Sequence, residues 1–131
     1  MKNTFVCPHC QGVLNPSVKL LLVAVNKDRK GMVLLSPQPG NYKYLCDESL
    51  QDAFHPGDTI TFSCPLCAKS LTSTGNPQFV HLELHTTSHS PRRVEFSRIF
   101  GTHATFIIDS GEVTAFGEDA GDFESPNFFG A

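Results

Sequence analysis

Thr59-Ile60-Thr61-Phe62-Ser63-Cys64-Pro65-Leu66-Cys67 alternates apolar and polar residues and then ends in a C-P-x-C turn. The alternation is the period of a half-buried strand. The same grammar stands near the start of the chain, where Phe5-Val6 leads into Cys7-Pro8-His9-Cys10. Proline after the first cysteine pre-sets φ and narrows the unfolded ensemble. Backbone N–H groups inside such a turn point at the sulfurs and disperse their charge. Two independent turns of one design are hard to produce by accident. Facing each other, they bring Cys7, Cys10, Cys64 and Cys67 to four tetrahedral corners, the ligand set of a closed metal site, most often zinc.

Between Cys10 and Cys64 lie 53 residues. Common four-cysteine ribbons separate their pairs by about 15–20. Lengthening the loop threefold adds only roughly 1 kcal/mol of closure entropy. Structural zinc contributes about 10–16 kcal/mol of apparent binding free energy, so the metal term wins. Iron is the rival ion, because four thiolates also suit a one-iron redox centre. A thioredoxin-like use of one C-x-x-C is disfavoured, since that chemistry wants a helix start beside a βαβ pattern.

Through Cys7-Pro8-His9-Cys10 and Cys64-Pro65-Leu66-Cys67 the chain resembles the zinc-ribbon and rubredoxin-like class of folds. The resemblance covers only these turns and their flanking strands. It implies that the four cysteines are the ligands of one site that joins two knuckles. Knuckles of that class usually carry glycine directly after the second cysteine, in a left-handed conformation. Here Gln11 and Ala68 stand at those places.

Outward from the knuckles, β-structure is expected nearly throughout. Val18 to Val25 and Met32 to Leu35 read as a hairpin around a polar turn from Asn26 to Gly31. Pro37-Gln-Pro39-Gly-Asn41 ends it. Tyr42 to Cys46 is a short strand, and Asp47 to Phe54 has room for one helical turn capped by Asp47 or Ser49. After a loop-like stretch from Leu71 to Gln78, strands are expected at Phe79–His85, Val94–Ile99, His103–Ile108 and Glu112–Phe116. Asp109-Ser-Gly111 makes a tight hairpin turn. The expected fold is a small, mainly β, antiparallel domain of about eight strands over residues 1–117. No internal repeat is evident beyond the two C-P-x-C turns. Open sheet edges leave room for self-association.

The chain's 131 residues suit one domain, and its 11 phenylalanines suit a packed core. The formal charge of −3 exerts no global pull toward nucleic acid or an anionic membrane. The first residues lack an apolar stretch with a small-residue cleavage site, and the longest apolar run is too short to cross a bilayer. A cytoplasmic protein without a membrane partner is expected, in a compartment where thiolates bind metals more readily than they form disulfides.

Cys46, the remaining cysteine, is expected to be a small buried hydrophobe. His81, His85 and His89 suggest a second metal site, but alternation with Val80, Leu82 and Leu84 places them on a strand. There His81 and His85 stand about 13 Å apart along one face, so solvent-facing histidines are the expectation. His9, inside a thiolate turn, tunes its surroundings and does not ligate. Lys27, Arg29 and Lys30, with Arg92, Arg93 and Arg98, could form a basic patch. They are few and lack interleaved aromatics, which makes nucleic-acid binding a second choice.

Residues 112–131 carry five acids and no base, leaving eight acids against ten bases in the rest of the chain. An acidic, aromatic tail over 118–131 could dock through Phe123, Phe128 and Phe129 on a partner protein, or fold back on its own sheet. No Gly-rich phosphate loop, G-x-S-x-G elbow or H-E-x-x-H is present, so no enzyme is expected. The expected role is a structural zinc-binding module acting as a protein-interaction or adaptor domain. A nucleic-acid-binding zinc ribbon and an iron electron carrier are the alternatives.

Overall fold

Alternating burial along Phe79-Val-His-Leu-Glu-Leu-His85 shows how the sequence pattern becomes a sheet. Val80, Leu82 and Leu84 point into the core, while His81, Glu83 and His85 stay half-buried on the other face. The computed structural model describes residues 4–38, 40–86, 91–109 and 112–122. Among them are nine strands in two wholly antiparallel sheets. The first sheet runs in the order β1 (Thr4–Val6), β6 (Phe79–His85), β7 (Arg92–Ser97), β8 (Thr105–Asp109), β9 (Glu112–Phe116). The second runs β4 (Tyr44–Cys46), β3 (Arg29–Leu35), β2 (Leu20–Asn26), β5 (Thr61–Ser63).

The core lies between the sheets. Leu22, Ala24 and Val33 of the second sheet share one buried cluster with Val80, Leu82 and Val94 of the first, closed by Leu14 and Leu71 from the knuckles. Burying a leucine or valine side chain contributes about 1.5–3 kcal/mol, so this cluster is a large part of the drive to assemble. A smaller apolar cluster of Phe79, Ala104, Phe106 and Ile108 packs against Ala120. Glu95, on the same face of β7, is 1% exposed.

Several boundaries differ from the sequence reading. β2 starts at Leu20, because Val18 is 72% exposed and finds nothing to bury against. The β2–β3 ladder runs down to Asn26 opposite Arg29, which shortens the turn to Lys27-Asp28 with Lys27 left-handed at φ 58°. β7 runs Arg92–Ser97 where Val94–Ile99 was expected, so Arg92 and Arg93 join the strand and Arg98 falls just beyond it. Asp47 does cap a short 3-10 turn, Glu48–Leu50, by accepting from Ser49 N.

Cys46 is a correction. It is exposed, not buried, as are its two neighbours in the edge strand β4. Asp109 pairs with Glu112, while the turn residues 110 and 111 lie outside the described residues. His89 and the tail phenylalanines Phe123, Phe128 and Phe129 also lie outside them.

Candidate metal centre

Each knuckle is a miniature hairpin, and the two are built alike. Cys7 N donates to Gly12 O at 3.0 Å, and Cys64 N donates to Lys69 O at 3.0 Å. Gln11 N reaches Cys7 O at 2.9 Å, as Ala68 N reaches Cys64 O at 2.9 Å. Leu14 N bonds Phe5 O and Leu71 N bonds Phe62 O, at 2.7 and 2.8 Å. Bridges Val6–Val13 and Ser63–Ser70 close the two hairpins at the same place. The repeat is therefore longer than the cysteine turns. Phe5 to Leu14 and Phe62 to Leu71 share Phe-x-Cys-Pro-x-Cys-x-x-x-Leu, and both leucines are completely buried. That wider match was available in the sequence and was missed because only the thiol turn was compared.

Gln11 and Ala68 adopt φ of 62° and 66°. The left-handed geometry that glycine usually supplies is thus present at both knuckles without glycine. A side chain there costs roughly 1–2 kcal/mol, which the surrounding hairpin bonds and the site itself must offset.

The knuckles also route the chain. β1 belongs to the first sheet and is followed, after its knuckle, by β2 of the second; β5 of the second is followed by β6 of the first. Each knuckle follows an edge strand of one sheet and hands the chain to the other sheet. The cysteine cluster therefore ties the β1 edge of one sheet to the β5 edge of the other.

Across the knuckles, Cys7 Sγ lies 3.8 Å from Cys67 Sγ, and Cys10 Sγ lies 3.8 Å from Cys64 Sγ. All four sulfurs fall within 4.8 Å of one another. A disulfide needs about 2.05 Å, so these are not bonded pairs. A tetrahedron with metal–sulfur bonds of about 2.3 Å has an edge of about 3.8 Å. The cluster is consistent with a tetrathiolate site.

Matched backbone donors serve the sulfurs. His9 N points at Cys7 Sγ and Leu66 N at Cys64 Sγ, both at 3.3 Å, with Cys67 N at 3.4 Å from Cys64 Sγ. Burial opposes the charge. It pushes the Cys7 thiol up to about 12, and it raises Cys64 as well. Cys67 is less enclosed, and the Lys69 backbone N–H holds its thiol below the usual range. Buried thiolates need a cation nearby, and a bound metal supplies one. The donor set is soft and wholly sulfur, which suits zinc or iron.

His9 does not join the sulfurs. Its Nε2–H donates to Ser70 O of the opposite knuckle at 3.1 Å, so it cross-ties the pair. His81 is half-buried and is not among the clustered donors, and burial pulls its pKa down. His85 pairs with Glu83 at 3.1 Å.

Sequence reasoning did not foresee a second group of possible donors, His103, Glu118 and Asp119. These side chains already serve the fold. His103 Nδ1 pairs with Glu118 at 2.9 Å, and Asp119 accepts from His103 N at 2.8 Å while its own N–H bonds His103 O.

No protein-family model, curated protein or solved structure matches the chain. No helix among the described residues is long and apolar enough to cross a membrane.

Proposed function

We propose that Cys7, Cys10, Cys64 and Cys67 hold one zinc ion, which pins the two sheets together at the β1 and β5 edges. The observation that carries this reading is the pair of 3.8 Å cross-knuckle sulfur separations. Four thiolates fill the coordination sphere and leave no open position for a substrate. The site is therefore structural, and the chain acts as a non-catalytic binding module through protein contacts. The edge strands β4 and β9 support that role, since both are largely exposed and, among the described residues, each has a strand neighbour on one side only, leaving room for a strand of a partner or of a second copy.

Nucleic-acid binding is the weaker reading because half of the supposed basic patch is spent inside the protein. Arg98 donates to Ile60 O, Pro77 O and Thr61 Oγ1, Arg29 to Ser49 O and Gln51 O, and Arg93 lies 3.0 Å from Glu95.

Elemental analysis of purified protein tests the ion, with one zinc per chain and no visible colour expected. A red protein with one iron per chain would establish the electron-carrier reading in its place. The interaction role is tested by Val113→Lys, which blunts the β9 edge where Val113 is 41% exposed. Partner capture or self-association should fall with melting temperature unchanged. Salt-sensitive retention on RNA or DNA by parent and variant alike, without any protein contact, would contradict it.

A further inference from the structure

A cavity of about 280 Å³ opens between the sheets, separate from the sulfur cluster. Leu82, Val94 and Phe96 of the first sheet and Leu20, Val33 and Phe62 of the second form its walls. Tyr44, Phe54 and Phe100 stand around it with ring centres 5.5–5.9 Å apart. An apolar hollow of this kind leaves its lining short of contacts. Its volume lies near the lower end of small-molecule pockets, which begin at about 300 Å³.

Charge around the cavity restricts what can fill it. Among the described residues, no Asp or Glu lines it. Its interior polar groups are already engaged: Tyr42 OH with Thr105 Oγ1, His103 with Glu118, and Arg98 with two carbonyls and Thr61. A shallow hollow sharing Tyr42, Lys43 and Tyr44 with the cavity adds Lys19 and the exposed Leu45. Lys19 and Lys43 are both exposed, and neither pairs with a carboxylate among the described residues. The apolar space thus borders a rim bearing two ammonium groups, while the acids beside it, Glu118 and Asp119, are already held by His103.

The geometry points to a binding site for a single-chain amphiphilic anion, with the apolar chain between the sheets and the anionic head at Lys19 and Lys43. The volume, about 280 Å³, is small for a ligand pocket. That selects a medium-length chain over a two-chain lipid. This function is independent of the metal assignment, since none of the four cysteines lines the cavity.

The test uses the full metal-loaded chain and sub-micellar decanoate, with decyltrimethylammonium as the cationic match, followed by calorimetry and tyrosine fluorescence. Decanoate is expected to bind saturably at one site and to raise the melting temperature, while the ammonium compound does neither. Lys19→Glu with Lys43→Glu should weaken decanoate by about tenfold, the scale of two exposed ion pairs lost and reversed, without changing the melting of the ligand-free protein. Leu35→Phe, which fills part of the cavity, should weaken decanoate and the neutral decanol together; if it fails to fold, the lysine pair alone decides. Absence of decanoate binding, equal binding of the cationic match, or undiminished binding by the lysine variant would overturn the proposal.

Discussion

Two of the ties between the sheets differ in kind. At one, four cysteines from two look-alike hairpins converge within 4.8 Å. At the other, Tyr42 precedes β4 of the second sheet and reaches the first, bonding Thr105 Oγ1 at 2.8 Å and Phe116 O at 3.3 Å and stacking on His103 at 4.4 Å. The cysteine tie draws on residues whose spacing repeats, so one half announces the other. The tyrosine tie draws on residues with no shared pattern, and only folding brings them together. A metal-linked tie is strong and all-or-none, whereas a tie of neutral hydrogen bonds and one ring stack contributes in small increments.

This contrast predicts the largest loss at the cysteines. Cys64→Ser should release the metal and lower stability by about 4 kcal/mol or more, because a missing ligand removes a folding term. Metal content and thermal melting check it together; superimposable melting curves would show that the cluster does not tie the sheets.

At the tyrosine tie the losses should be smaller and graded. Gly117 sits at φ 101°, and a Cβ there would run into His103 O and Tyr42 Oη. Gly117→Ala is expected to cost about 2–3 kcal/mol, and Tyr42→Phe about 1 kcal/mol, both with one metal per chain retained. Metal loss in either variant would mean that the two ties act as one unit.

The knuckles also permit a gain. Gln11→Gly and Ala68→Gly relieve a left-handed side chain but add unfolded-state entropy, so each should stabilise by up to about 1 kcal/mol. Chemical denaturation of the metal-loaded protein reads it. Destabilisation by both would show that these side chains contribute more than their backbone strain costs.

The smallest effect concerns Glu95, which belongs to neither tie. Burial raises its carboxyl above the usual range despite Arg93 at 3.0 Å. A raised carboxyl contributes most below its unfolded value of about 4.3, and that contribution is lost as pH rises through the folded value. Glu95→Gln should therefore match the parent near pH 4 and exceed it at pH 7, flattening the melting-temperature profile between them. A variant less stable than the parent at pH 7 would mean that the charged pair with Arg93 outweighs the burial.

The same contrast explains what was legible beforehand. Phe79–His85 was readable to the residue, because alternation with a buried face leaves one register; Glu112–Phe116 was readable as well, though it is largely exposed. The cysteines were readable because thiol spacing has a chemical meaning. The role of Tyr42 was not, since it looked like one more residue of the β4 strand. Cys46 was misplaced because its exposure depends on what packs over β4, which a three-residue stretch of sequence does not reveal. The cavity left no trace in the sequence: its aromatic residues come from separate loops and strands, and each alone reads as ordinary core.

X-ray absorption at the metal edge tests the central claim most directly. The account predicts one metal per chain surrounded by four sulfur scatterers at about 2.3 Å. A shell containing nitrogen or oxygen, or a correctly folded chain that takes up no metal, would contradict it.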